Sequence, residues 1–377
     1  MALLLAGLGF SCGNLHGPNQ SRRPGACTSY GKGLDAGTRI PKLDASPAGD
    51  TDGGLAKKKR AILVSVDGLG AYYVRQQLAA GKLPHFANLR RSGASTLNAR
   101  ADYEYTVTLP NHTSMLTGRP VSADEALPNT THHGWTINSD VSSSTTLHNS
   151  GNPNLTYIAS VFDVVHDHGF STCMYSGKSK FSLFANSYNA KNGAPDKVGE
   201  DEGCNKLDRV AIVENTDTLI GMAEADLGGG ACDLAFIHIS DTDWKGHNLG
   251  WGSDGWLTML DQVDEWIGRI AAFADPKKTD NPFFLLVTAD HGGYGTQHAD
   301  NTLPLDYTIP FYMVGPGIPA NADLYTLVGP GRGDPGDARI RYSAPVQPVR
   351  NADAANTITS LLGLPPVPGS FMRDLLK

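Results

Sequence analysis

Seven side chains of this 377-residue sequence stand where chains commonly place chemistry. Asp67 directly follows the apolar run Ala61-Ile-Leu-Val-Ser-Val66, and Asp241 and Asp243 follow Leu234-Ala-Phe-Ile-His-Ile239. Asp290 and His291 follow Phe283-Phe-Leu-Leu-Val287-Thr-Ala289, with His247 four residues after Asp243 and His298 seven after His291. A single aspartate after a strand is ordinarily a turn former or helix cap. Convergence changes the reading, because three apolar runs each end in carboxylate and two of them also supply imidazole. Carboxylate oxygen with imidazole nitrogen is ligand chemistry for Zn²⁺, Mn²⁺ or Fe. Six such groups, Asp67, Asp243, His247, Asp290, His291 and His298, are enough for two ions. Asp241 competes with Asp243, but the i,i+4 spacing of Asp243 and His247 puts those two on one side of a helical turn.

The elements that would carry these groups alternate. Residues 61–66, 170–175, 234–239, 283–287 and 309–314 are short β-rich apolar runs, as in strands buried on both faces of a parallel sheet. Between them, residues 157–168, 209–225 and 256–273 carry helical periodicity. The expectation is an α/β fold with a largely parallel central sheet flanked by helices on both faces. In such sheets ligands sit beyond the carboxyl ends of the strands, where the aspartates fall. The polar, glycine-containing stretch 179–207 reads as a small lid or insertion.

Five blocks in order, Ile62-Leu-Val-Ser-Val-Asp67-Gly68, Thr108-Leu-Pro-Asn-His112, Leu116-Thr-Gly118, Asp243-Trp-Lys-Gly-His247 and Thr288-Ala-Asp-His-Gly-Gly293, resemble the alkaline phosphatase superfamily. The Thr-Leu-Pro-Asn-His block is similar to its nucleotide pyrophosphatase/phosphodiesterase branch, and the resemblance spans residues 60–370. It implies one metal on Asp67, Asp290 and His291 beside the Thr108 oxygen, and a second on Asp243, His247 and a third histidine. Many family members take that histidine from far downstream, whereas this chain has none after His298, so His298 fills the role. The resemblance also implies Thr108 as nucleophile through a phosphothreonine intermediate, Asn138 as donor to a non-bridging oxygen, and Asn111 and His112 as builders of the turn that presents Thr108. The activity implied is hydrolysis of phosphodiester or pyrophosphate bonds in a small, nucleotide-type substrate, with two divalent ions, Zn²⁺ before Mn²⁺ or Fe. Because Asn138 is neutral and no arginine stands at a matching position, a monoanionic diester is expected over a dianionic monoester. The alternatives are a phosphomonoesterase or phosphonate hydrolase of the same superfamily, and a non-catalytic metal- or glycan-binding protein. The Cys/Ser-x-Pro-x-Arg block of sulfatases is absent.

Composition narrows the partners. Charged residues are 18% of the chain, against roughly 25% in an average globular protein, and the net charge is −7. A broad basic surface for nucleic acid does not fit that balance, since such binding draws on many Lys/Arg–phosphate contacts. The 43 glycines and 23 prolines require abundant loops. The apolar opening Ala2–Phe10 is too short to span a bilayer and reads as the core of a signal segment, so a secreted or periplasmic location is expected. Cys12 behind it only loosely resembles a lipoprotein site for lipid anchoring. Residues 1–56 are accordingly signal segment and linker, and residues 57–377 the catalytic domain. The cysteines form no CxxC pair, which disfavours a zinc ribbon, and Cys204 with Cys232 is a candidate disulfide in an exported chain.

Overall fold

The computed structural model describes residues 57–376. Eight strands, β1 (Ala61–Val66), β2 (Ala94–Arg100), β3 (Thr172–Ser176), β4 (Arg209–Ile212), β5 (Leu234–Ile239), β6 (Phe284–Thr288), β7 (Thr308–Val314) and β8 (Ala322–Asp323), form one sheet. Their order is β4-β3-β5-β1-β6-β7-β2-β8. The half containing β4, β3, β5, β1 and β6 is wholly parallel, and β7 runs antiparallel to both β6 and β2. All six residues of β1 are buried, as are all those of β5 and β6, which explains why these segments are continuous apolar runs. Because β1 lies between β5 and β6, the carboxyl ends of three adjacent parallel strands deliver the three acidic motifs to one place.

Three local readings change. Residues 209–225 are not one helix: Arg209–Ile212 pairs in parallel with β3 as an edge strand, and the helix is Thr216–Gly228. The break is set by Asn215, whose side chain accepts the Thr218 N–H and caps the helix. The helix expected over 157–168 is Val161–Asp167, because Ser160 and Asp163 form a capping box that fixes its start. Strand β2 was not among the expected strands, since Ala-Ser-Thr-Leu-Asn-Ala-Arg lacks an apolar run. In the 179–207 segment, Ser179–Phe181 and Ser182–Ser187 are helical, and Phe181, Leu183, Phe184 and Tyr188 are buried in the core.

Cys232 bonds to Cys173 rather than to Cys204. Cys173 lies on β3, which pairs with β5, and Cys232 stands just before β5, so the Cα atoms are 5.8 Å apart. Sequence spacing does not reveal which strands are neighbours, and the pairing follows from the sheet order. Among the described residues no helix is long and apolar enough to cross a membrane. The signal-segment, lipid-anchor and linker expectations fall on residues outside the described ones.

Candidate active site

Asp67 directly follows strand β1, and Gly68, at φ +71°, turns the chain sharply beneath it. The loop after β6 supplies Asp290 and His291, and all three side chains are fully buried. His291 Nε2 lies 3.4 Å from Asp67 Oδ1 and 3.2 Å from Asp290 Oδ2. Beside them, the helix Asp241–Leu249 presents Asp243 and His247 on adjacent turns, and the loop after β6 adds His298. Asp243 Oδ1 stands 3.4 Å from His247 Nε2 and 3.6 Å from His298 Nε2, and the two imidazole nitrogens are 3.1 Å apart. All six ligands expected from the sequence thus converge. Asp241 does not join them, because its carboxylate accepts a hydrogen bond from Thr216.

The hydrogen bonding around this cluster says what it fits. His247, His291 and His298 each direct Nδ1 at a backbone carbonyl, of Thr296, Gly292 and Thr106 respectively. A neutral imidazole that donates from Nδ1 carries a bare lone pair on Nε2. Three such lone pairs therefore face the carboxylates, a repulsive arrangement unless a cation lies between them. The Asp67 Oδ1, Asp243 Oδ1, Asp290 Oδ2 and His291 Nε2 atoms are buried without a hydrogen-bond partner, and all four point into the cluster. Buried polar atoms are ordinarily paired, so four orphans converging on one space fit divalent metal ions. Asp67, Asp290 and His291 form one compact group, and Asp243, His291 and His298 another, so His291 borders both.

The remaining oxygen of Asp67 is held by two residues that the motif reading missed. His238, on β5, donates from Nε2 to Asp67 Oδ2 at 2.9 Å, and Lys178 Nζ donates to the same oxygen at 2.6 Å. Lys178 also reaches Asp243 Oδ2 at 2.7 Å, so it ties two of the acidic motifs together. Burial by itself would raise the Asp67 pKa, but the Lys178 charge and the His238 bond outweigh it and hold the carboxyl well below its usual range. Asp290 goes the other way: burial and the neighbouring Asp67 charge push it well above. Burial also depresses His291 well below the usual imidazole range and lowers His298, which favours the neutral form that a metal ligand requires. Lys178 lies outside every recognised block, in Ser176-Gly-Lys-Ser-Lys180, and only the end of β3 gives it away.

Thr108 is buried and opens the helix Thr108–Thr117. Asn111 staples the loop before it, accepting the Asp102 N–H and donating to the carbonyls of Tyr105 and Val107. His112 Nδ1 donates to the Thr108 carbonyl at 2.7 Å and lies 3.6 Å from Asp290 Oδ2, so the helix start and the carboxylate cluster are in register. Asn138 sits across from this start, its Oδ1 accepting the Leu109 N–H at 2.9 Å and Lys180 Nζ at 3.2 Å. With Oδ1 occupied, the Nδ2 amide is the free end. Lys180, from the 179–207 segment rather than from a motif, places a cation beside Asn138, where no motif arginine stands. Arg119 instead binds the carbonyls of Thr130, Thr131 and Pro368 and serves the loop structure.

Residues 61–314 match the sequence profile of type I phosphodiesterase / nucleotide pyrophosphatase. Among solved structures, the chain superposes on a murine ectonucleotide pyrophosphatase / phosphodiesterase 5, an inactive form in complex with AMP. That match has a TM-score of 0.53 at 13% identity, over 82% of this chain and 96% of the other. An alkaline phosphatase superfamily protein of Vibrio parahaemolyticus gives a TM-score of 0.51 at 14% identity, over 86% and 71%. Both likenesses concern the fold. A curated relative, the alkaline phosphatase PhoD of Zymomonas mobilis, is 39% identical over 80 residues, which span 21% of this chain and only 14% of that protein.

Proposed function

This chain belongs to the type I phosphodiesterase / nucleotide pyrophosphatase family, and on that premise we propose that it is a two-metal hydrolase of phosphodiester or pyrophosphate bonds acting through Thr108. The observation that carries the reading is the convergence of the four partnerless ligand atoms on one space near the start of the Thr108 helix. One ion would be held by Asp67, Asp290 and His291 with the Thr108 oxygen, the other by Asp243, His247 and His298. A donor set of three carboxylates and three imidazoles suits Zn²⁺. Such a pair activates an alcohol nucleophile and stabilises both attacking and leaving oxygens of an in-line displacement.

The chain's own groups do the rest. The Thr108 hydroxyl releases its proton to solvent and its Oγ1 bonds to phosphorus while the bond to the leaving oxygen breaks, that oxygen taking the electron pair and then a proton from solvent. Asn138 Nδ2 donates to a non-bridging oxygen whose charge grows in the transition state. Water then attacks the phosphothreonine, and the Thr108 oxygen leaves and regains its proton. Asn111 and His112 hold the helix start in place through both steps.

A second reading, hydrolysis of phosphomonoesters or phosphonates, is favoured by one observation: Lys180 puts an ammonium beside Asn138, where a dianionic phosphoryl group would sit. Turnover of bis-(p-nitrophenyl) phosphate, p-nitrophenyl phosphate and a nucleotide p-nitrophenyl diester by the zinc-loaded protein separates the two. Preference for the diesters in kcat/KM supports the first reading and preference for p-nitrophenyl phosphate the second. No turnover of any of them overturns both. The Cys173–Cys232 disulfide supports export to an oxidising compartment.

A further inference from the structure

We propose that Trp251 is a positioning residue that holds the three ligand-bearing segments in register with one another. The inference rests on the two-metal reading above. Trp251 is 6% exposed and follows the helix that carries Asp243 and His247. Its Nε1–H donates to the Gly68 carbonyl at 2.8 Å, one residue beyond Asp67. A Cβ on Gly246, next to His247, would stand 2.4 Å from the indole, and one on Gly293, two residues after His291, would stand 2.3 Å from it. A Cβ on Gly68 would lie 3.2 Å from the same ring. The Trp251 N–H donates to the Gly295 carbonyl at 2.7 Å, and the rings of His247 and His298 meet the indole edge-on at 5.3 and 5.8 Å.

One side chain therefore touches a glycine from each segment that supplies ligands. Gly246 and Gly293 share one requirement, close approach of backbone to a flat ring, which any side chain would prevent, while Gly68 lies tight against the same ring at a positive φ. The Asp67, Asp243 and Asp290 carboxylates repel one another; Lys178 bridges Asp67 and Asp243, and the Gly68 N–H donates to Asp290 Oδ1 at 3.1 Å, but neither contact alone reaches all three segments. The indole offers a rigid common surface and one directional hydrogen bond. A ligand set displaced by a fraction of an ångström binds metal less well, and supports outside the ligands themselves are commonly worth 10- to 100-fold in affinity.

Zinc titration against a chromophoric chelator, alongside thermal unfolding of the metal-free protein, tests this. Trp251→Leu is expected to weaken at least one of two bound ions by 10- to 100-fold. Trp251→Phe, which keeps a ring but loses Nε1–H, should lose less. Ile267→Ala, a fully buried substitution in the helix Asp254–Ala271, serves as the control for general destabilisation. It should lower the unfolding temperature while leaving both affinities within about twofold of the parent, small against the 10- to 100-fold expected above. Parent-like affinities in Trp251→Leu overturn the proposal, as does an equal loss in Ile267→Ala at matched unfolding temperature. Should Trp251→Leu fail to fold, Trp251→Phe and Gly246→Ala carry the comparison, and parent-like affinities in both overturn the proposal. A parent protein that binds fewer than two ions fails the two-metal reading and this inference with it, whereas two ions in the parent with no Trp251 effect fails the inference alone.

Discussion

Lys180 Nζ lies 3.2 Å from Asn138 Oδ1 and 3.1 Å from the carbonyl oxygen of the same residue. The contact fixes the amide so that Nδ2 faces away from Lys180 and the Leu109 N–H, and it places positive charge beside the neutral donor. Burial, followed by repulsion from Lys178, lowers the Lys180 pKa, so added negative charge nearby would be welcome. Lys180→Met should therefore depress kcat/KM for p-nitrophenyl phosphate more than for bis-(p-nitrophenyl) phosphate. Equal loss on both would reduce Lys180 to a support for Asn138. Asn138→Ala should cost on the order of 10²–10³-fold on either substrate, as for one oxyanion donor.

Thr108 carries the heaviest demand. Thr108→Ala should lower the rate by about three orders of magnitude or more, because it removes the attacking atom. Thr108→Ser keeps the hydroxyl and should retain substantial activity. Zinc content should stay near two per chain in both, since three carboxylates and three imidazoles remain. Activity of Thr108→Ala within tenfold of the parent would mean that the hydroxyl is not the nucleophile.

Zinc bound at full loading should approach two ions per chain, and prolonged chelation should abolish turnover. His298→Ala and His247→Ala should each lose close to one ion, because each Nε2 faces Asp243 Oδ1 while its Nδ1 is committed to a carbonyl. Asp290→Ala should lose the other. Elemental analysis after dialysis reads this directly, and two ions retained in His298→Ala would remove that residue from the ligand set.

The parts of this site visible in the sequence are those attached to strand ends. A buried parallel strand needs an uninterrupted apolar run, so Asp67, Asp243 and Asp290 each follow a recognisable signal, and the neighbouring order β5-β1-β6 turns three separate signals into one cluster. Lys178, Lys180 and His238 escape this logic. His238 lies inside an apolar run and looks like a tolerated core histidine, and the two lysines sit in a serine-rich turn that reads as solvated loop. Their roles arise from contacts at sequence separations of 171 for His238–Asp67 and 111 for Lys178–Asp67, which no local pattern reports. The same holds for Gly246 and Gly293: each is plain in its motif, but their common reason, the Trp251 ring, appears only in three dimensions. The edge strand β4 was hidden for the opposite cause, since Arg-Val-Ala-Ile is half exposed and its periodicity merges into the helix that follows.

Asp306 gives the fold a dependence on pH that is separate from catalysis. Its carboxyl is 2% exposed, with Oδ1 unpartnered and Oδ2 accepting only the Asp300 N–H at 3.1 Å. Burial pushes its pKa up to about 7, against an ordinary 3.8, outweighing that hydrogen bond. The folded chain therefore keeps a proton here that the unfolded chain has already released between those two values. Where the folded state binds more protons, stability falls as pH rises. The contribution of Asp306 is thus harmless below about pH 4, worsens between about pH 4 and 7, and is fully unfavourable above that window. Asp306→Asn keeps an acceptor for the Asp300 N–H and cannot ionise. In the metal-free protein, its unfolding temperature should match the parent's near pH 3, exceed it by a margin that grows to about pH 7, and level off above that. A margin that stays flat with pH, or one that favours the parent at pH 8, would show that Asp306 is ionised and adequately solvated in the folded chain.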